Sequence, residues 1–228
     1  YNAMKCANII SWLREYDLKS KGVGNANISD GELLKELIFK IMHWNLPVVN
    51  FRLQVDKLQV GKIKSKMNKA IFLDRDGTIN SDEGHYYIYK VEDFVFNPGV
   101  IDGIRRLNEA GYLIIIVTNQ GGVAKGEYSI EDVDNLHAHM CKELEKHGAH
   151  VDKIYYCPHS SIAPCKCRKP SPYMIEQAIR EFDIDKSASW LIGDGSRDIE
   201  AAEAAGIRGI KIPKNSDLTP VIDSILKQ

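Results

Sequence analysis

Two patterns of apolar residues alternate along the chain from Met67 onward. Short apolar runs between turn signals predict buried strands, and longer segments with apolar residues at helical spacing predict helices. Because strand and helix alternate, we expect an α/β fold with a doubly wound parallel sheet. The predicted strands are Ala70–Leu73, Leu113–Val117, Val151–Tyr156, Trp190–Ile192 and Gly209–Ile212. The predicted helices are Val100–Ala110, Ile130–Lys146, Pro172–Phe182, Ile199–Ala205 and Pro220–Lys227.

Residues 1–66 have a different pattern and carry no group of residues suited to catalysis. Ser29 and Glu32 form a capping box before a second segment of helical periodicity, and lysines dominate the end of this region. We therefore expect a small helical extension and linker at 1–66 and a separate domain at 67–228. Glu15–Gly22 and Gly31–Leu37 resemble the C-terminal helical region of bacterial clamp-loader delta subunits. The simpler interpretation is a helical hairpin that packs on its own domain or binds a protein partner.

The composition narrows the class of protein. The chain has 228 residues, is 44% hydrophobic and has a formal net charge of -1. This charge argues against a basic nucleic-acid binder or a membrane-surface protein, and no nucleic-acid partner is expected for residues 67–228. No apolar run approaches the length of a membrane span, and the first residues lack a secretory signal pattern. We expect a cytoplasmic protein without a membrane partner.

Two carboxylates follow the first predicted strand, since Leu73 leads into Asp74, Arg75, Asp76 and Gly77. In an open parallel sheet, the carboxyl ends of the strands form the ligand crevice. Buried carboxylates without partners are costly, and two close together repel each other. We therefore expect a hard cation with oxygen ligands at this position, the alternative being an ordinary Asp-Gly turn.

Other predicted strands also end in polar side chains, and this topology brings those ends to one crevice. Carboxylates, a hydroxyl, an amide and a lysine together suit a phosphoryl group, whose charge Mg²⁺ and lysine would neutralise. One carboxylate would act as nucleophile and form an aspartyl-phosphate, and the other would act as general acid and base. The residues concerned are Asp74, Asp76, Thr118, Asn119, Lys169, Asp194 and Asp198.

A cysteine-histidine segment, which we call the zinc loop (157–167), follows the third predicted strand. Cys157, His159, Cys165 and Cys167 offer three sulfurs and one imidazole within eleven residues. Such a set fills a tetrahedral zinc site and leaves no open position, so a structural Zn²⁺ is expected. The alternative is a group of reduced surface cysteines beside an unrelated histidine.

From Met67 onward, the chain resembles the haloacid dehalogenase superfamily of phosphatases. Four motifs carry the resemblance: Leu73–Thr78, Thr118–Gln120, Lys169, and Gly193-Asp194 with Asp198. Within the superfamily it is most similar to the D,D-heptose 1,7-bisphosphate phosphatases, with the histidinol-phosphate phosphatases as close relatives. Both groups share the zinc loop and the Cys-Arg-Lys-Pro sequence. The resemblance implies a Rossmann-like fold with a minimal cap, for which the aromatic 78–95 segment is the candidate flap.

The resemblance also implies roles for individual residues. Asp74 matches the nucleophile and Asp76 the general acid and base. The Asp74 carboxylate, the Asp76 main-chain carbonyl and Asp194 would hold Mg²⁺. Thr118 and Lys169 would hold the phosphoryl group.

Further positions match residues around that centre. Asn119 and Arg168 would contact phosphate or sugar, and Asp198 would brace the metal site. Gly195 departs from the family, where lysine is usual; either a contact is missing or Arg197 supplies it.

The resemblance implies Mg²⁺-dependent removal of the 7-phosphate from D-glycero-D-manno-heptose 1,7-bisphosphate. Histidinol-phosphate hydrolysis is the alternative within enzymes. Outside enzymes, the alternatives are a phospho-accepting signalling domain, which would not need Asp76, and an interaction module built around residues 1–66.

Overall fold

The computed structural model describes residues 67–227. The expectations for residues 1–66, including the Ser29 capping box, the linker, the partner-binding role and the domain boundary, lie outside the described residues. In the part that is described, no helix is long and apolar enough to cross a membrane.

Five parallel strands form the main sheet. They are β1 Lys69–Leu73, β4 Tyr112–Asn119, β5 Lys153–Cys157, β6 Trp190–Gly193 and β7 Arg208–Lys211. Their order across the sheet is β5-β4-β1-β6-β7. The central strand β1 pairs with β4 on one side and β6 on the other, so that Ile71 lies opposite both Ile114 and Trp190. The predicted parallel sheet is therefore confirmed, and β1 ends in the middle of its edge.

Helices cover both faces of this sheet, which confirms the doubly wound class. They are α1 Val100–Glu109, α2 Ile130–Lys146, α3 Tyr173–Glu181, α4 Ser196–Ala205 and α5 Thr219–Leu226. Ile71 and Leu73 of β1 pack in one apolar core with α1, α2 and α5, whereas Ala70 and Phe72 pack in the other with α3 and α4. Each fully buried Ile, Leu or Phe stabilises the fold by about 1.5–3 kcal/mol. Because successive residues of β1 enter opposite cores, the strand that leads to the predicted nucleophile is fixed from both faces.

Two boundaries differ from the sequence prediction in ways that concern the site. Strand β4 continues to Asn119 instead of ending at Val117, because Thr118 and Asn119 still pair with Tyr156 and Cys157 of β5. Helix α4 begins at Ser196, three residues before the predicted start. In both places polar residues lengthen the element beyond its apolar pattern, at the end of β4 and at the start of α4.

The 78–95 segment contains a small hairpin. Strands β2 (Asn80–Ser81) and β3 (Val95–Phe96) pair antiparallel, and a 3₁₀ turn spans Val91–Asp93. Ile79 and Ile88 anchor the segment in the apolar core. Its role as a flap stays a prediction.

Candidate active site

Asp74 directly follows β1, and its carboxylate is 4% exposed. Its Oδ1 accepts a hydrogen bond from the Arg75 main-chain N–H at 2.8 Å and lies 2.9 Å from the Lys169 ammonium. That ammonium also donates to the Val117 carbonyl and lies 2.6 Å from Asp198 Oδ1. A buried lysine is thus held by two carboxylates and one carbonyl, which offset the cost of burying its charge.

Asp194, at the end of β6, completes an acidic cluster with Asp74 and Asp198. One carboxylate oxygen from each lies within 4.8 Å of the others. Burial raises the pKa of Asp194, and the charges of Asp74 and Asp198 raise it further. Asp194 Oδ1 is buried and has no hydrogen-bond partner among the described residues.

A buried carboxylate with an unsatisfied oxygen, close to two other carboxylates, is the arrangement that a hard cation would relieve. The donor set therefore fits Mg²⁺. Asp198 is fully buried, contacts Lys169 and accepts the Gly195 N–H at 2.9 Å, just as Asp74 contacts Lys169 and accepts a main-chain N–H.

The departure at Gly195 has a local explanation. A Cβ at Gly195 would lie 3.0 Å from Asp198 Oδ2, tighter than an ordinary contact, and 3.4 Å from the Arg197 side chain. Glycine therefore leaves room for the carboxylate to approach the backbone. Arg197 is exposed beside this turn, and its suggested contact with substrate stays a prediction.

Asp76 is fixed by more hydrogen bonds than the other carboxylates of the site. Its Oδ1 accepts from Arg75 Nε at 3.0 Å and from Asn80 Nδ2 at 3.2 Å. Its Oδ2 accepts from Arg75 Nη2 at 2.9 Å and from Gln120 Nε2 at 3.0 Å. The side chain is 29% exposed, so one face remains open to a reacting group.

The two predicted substrate contacts are held by the protein itself. Asn119 Nδ2 donates to the Lys169 carbonyl at 3.1 Å, and its Oδ1 accepts the Lys169 N–H at 3.0 Å. Arg168 Nη1 donates to the His159 carbonyl at 3.0 Å. Asn119 thus positions the main chain of Lys169, and Arg168 is hydrogen-bonded to the zinc loop. Their contact with substrate stays a prediction.

The four predicted zinc ligands converge. Cys157 Sγ lies 3.7 Å from Cys165 Sγ and 3.5 Å from His159 Nδ1, which is 3.3 Å from Cys167 Sγ. A tetrahedral site with Zn–S bonds of about 2.3 Å would place its sulfurs roughly 3.8 Å apart. Burial raises the pKa of Cys157 to about 12, so a cation would have to displace its proton. The donor set and spacing fit Zn²⁺.

Sequence reasoning missed the support beneath Asp76. Arg75 is fully buried, and its Nη1 lies 3.2 Å from Nε2 of His137 on α2. Burial, together with Arg75, lowers the pKa of His137 to about 3. The position of Arg75 between two aspartates was an available signal, whereas nothing local pointed to His137.

Another contact without a sequence signal joins the 78–95 segment to the loop after β7. Lys214 Nζ lies 2.7 Å from Asp82 Oδ2, and this contact raises the pKa of Lys214. Asn215 Oδ1 accepts the Asp82 N–H at 3.2 Å.

This chain is similar to known proteins in sequence and in fold. Residues 166–218 match the family model described as HAD-hydrolase-like. D-glycero-beta-D-manno-heptose-1,7-bisphosphate 7-phosphatase of Pasteurella multocida is 39% identical over 168 residues, which cover 71% of this chain and 89% of that protein. The enzyme of the same name from Yersinia pestis is 45% identical over 150 residues, covering 63% and 78%.

A solved structure agrees with these relatives. The D,D-heptose 1,7-bisphosphate phosphatase from B. bronchiseptica, complexed with magnesium and phosphate, is 30% identical with a TM-score of 0.64. The match covers 70% of this chain and 98% of that one. The comparisons give no support to the histidinol-phosphate alternative. The curated relatives and the solved structure carry the same family name and cover most of their own length with this chain. The chain therefore belongs to the heptose-1,7-bisphosphate 7-phosphatase family of HAD-like hydrolases.

Proposed function

We propose that this protein hydrolyses the 7-phosphate of D-glycero-D-manno-heptose 1,7-bisphosphate through a phosphoenzyme on Asp74. The observation that carries the proposal is the placement of Asp74. Its carboxylate lies at the centre of the sheet edge, against the Lys169 ammonium, with Asp76 two residues further along the chain. The names of the relatives support the substrate.

The chemistry follows from two carboxylates in different surroundings. Asp74 attacks phosphorus, and the bond between phosphorus and the sugar oxygen breaks. Asp76, with one open face, gives a proton to the leaving oxygen. Asp76 then takes a proton from the water that attacks phosphorus, and the bond to Asp74 breaks. Lys169 and the Thr118 hydroxyl hold the transferring group and compensate its charge.

Magnesium would be bound by the carboxylates of Asp74 and Asp194 and by the main-chain carbonyl of Asp76. When bound, it supplies positive charge to the phosphoryl oxygens and to the acidic cluster. The unpartnered Asp194 Oδ1 and the magnesium complex of the B. bronchiseptica protein support this assignment.

The zinc loop has a structural part in this proposal. Zn²⁺ on Cys157, His159, Cys165 and Cys167 would close the loop that leads directly into Arg168 and Lys169. Because Arg168 donates to the His159 carbonyl, ordering the loop also orders that arginine. Four protein ligands leave no position for substrate.

Phosphate release tests the proposed function. The purified protein with Mg²⁺ is given both anomers of heptose 1,7-bisphosphate and, separately, histidinol phosphate. We expect the bisphosphate to be the preferred substrate, with heptose 1-phosphate identified as product by ³¹P NMR. Preference for histidinol phosphate, or loss of the 1-phosphate, would contradict the proposal.

A further inference from the structure

Gln120 is a buried amide whose hydrogen-bonding positions are all occupied. It is 1% exposed and follows β4. Its Nε2 donates to Asp76 Oδ2 and to Thr118 Oγ1, both at 3.0 Å. Its Oε1 accepts from Arg75 Nη2 at 3.1 Å and from the Tyr128 hydroxyl at 2.8 Å. An amide offers two donors and two strong acceptor positions, so this side chain is fully used.

These partners permit only one orientation of the amide. Arg75 presents only donors, whereas Asp76 presents carboxylate oxygens, and rotating the amide by half a turn would set the NH₂ group of Gln120 against the donors of Arg75. Burial raises the pKa of Tyr128 to about 12, so its hydroxyl keeps its proton. The NH₂ group of Gln120 therefore faces Asp76 and Thr118.

This orientation decides what the Thr118 hydroxyl can do. Because Oγ1 accepts from Gln120, its single hydrogen is left for another acceptor. The structure shows none for it among the described residues, and Thr118 is only 1% exposed. A hydroxyl that is buried and turned in this way is prepared to donate to an incoming anion oxygen.

We propose that Gln120 is a positioning residue, which presents the Thr118 hydroxyl to the phosphoryl group and holds the Asp76 carboxylate beside it. This inference rests on the function proposed above. An amide with a purely structural role would also have all its hydrogen bonds made. Two of the four hydrogen bonds of Gln120, however, go to Asp76 and Thr118, which are side chains of the site.

The substitution Gln120→Glu separates these possibilities, because it keeps the shape, removes the bond to Asp76, reverses the bond to Thr118 and leaves the other two bonds in place. Glutamate still accepts from Arg75 and Tyr128, but it cannot donate to Asp76, and it draws the Thr118 hydrogen toward itself. With Mg²⁺ present, we expect affinity for inorganic phosphate, measured by calorimetry, to fall about tenfold. We expect kcat to fall about 10–100-fold with a smaller change in KM.

A double-mutant cycle with Thr118→Val gives the readout that a structural role would not move. If Gln120 acts through the Thr118 hydroxyl, Gln120→Glu should weaken phosphate binding in wild type and add little in Thr118→Val. Equal losses in both backgrounds would overturn the inference. Gln120→Met in the same cycle controls for the added charge, because it removes the same donors without adding one.

The two proposals fail in different ways. If the wild type releases no phosphate from the bisphosphate, the proposed substrate is wrong. Calorimetry with inorganic phosphate still tests the positioning role of Gln120 in that case. No phosphate binding by the wild type, or unchanged binding by Gln120→Glu, would overturn the positioning role. Should Gln120→Glu not fold, Gln120→Met removes the same donors without adding charge and enters the same cycle.

Discussion

Two clusters of candidate metal ligands within the described residues are built differently. In the acidic cluster, Asp74 and Asp194 directly follow β1 and β6, and Asp198 lies in the first turn of α4, with an apolar core on each side of the sheet. The zinc loop gathers its ligands from an irregular segment, in which only Cys157 belongs to a strand and is buried. The first should keep its shape without its metal, whereas the second should need it.

Replacing the proposed nucleophile gives the largest expected effect. Asp74→Asn should lower kcat at least about a thousandfold, because the amide cannot attack phosphorus. The melting temperature should hold or rise, since the change relieves repulsion within the acidic cluster. Phosphate release and calorimetry measure the two quantities, with Asp102→Asn on the surface of α1 as the matched control. Retained turnover would disprove the assignment.

Zinc removal should act on stability more than on the chemical step. Cys165→Ser should release the metal and lower the free energy of unfolding by about 2–4 kcal/mol, because the loop loses its crosslink. Metal content by mass spectrometry and urea titration check this, and Cys141→Ser, outside the loop, should keep the zinc. A variant with unchanged metal content would refute the zinc site.

The support beneath Asp76 should make the stability of the fold sensitive to acid. His137 is neutral in the fold with a pKa of about 3, but in the unfolded chain it protonates near 6.5. Unfolding therefore takes up a proton between these values, and stability falls by about 1.4 kcal/mol per pH unit as pH drops through that window.

His137→Gln should remove that part of the pH dependence while keeping an acceptor for Arg75. Urea titrations of both proteins from pH 7 to pH 4 make the comparison. Parallel stability curves would show that His137 does not carry the effect.

Deleting residues 1–66 should have the smallest effect. Both clusters lie within residues 67–227, so kcat and zinc content should stay within about twofold of the full chain. A large loss of either would show that the extension belongs to the catalytic fold. A pull-down with and without these residues tests the proposed partner role.

The sequence was sufficient wherever one local pattern decides the outcome. Apolar periodicity located the five strands, and the polar residues after them located Asp74, Asp76, Thr118, Lys169 and Asp194. The spacing of the cysteines likewise predicted that the ligands of the zinc loop lie together. These features follow from strand alternation and from the rule that strand ends share one edge.

The sequence was insufficient where a role depends on partners distant in the chain. Arg75 meets His137 sixty-two residues later, and Tyr128 reaches Gln120 across a turn. No period or spacing encodes such pairs, because packing of the 78–95 segment and of α2 brings them together. The amide of Asn119 similarly turned out to bind the Lys169 main chain.

That pair of bonds at Asn119 has a use in protein engineering. The chain leaves the sheet after Cys157, and Asn119 binds its main chain again at Lys169. Residues 158–168 therefore form a loop with both ends fixed. Doubling the length of a flexible loop costs only about 0.6 kcal/mol of closure entropy. Ile162, which is 93% exposed and lies between His159 and Cys165 in the sequence, is therefore a site for inserting a tag or a sensor peptide.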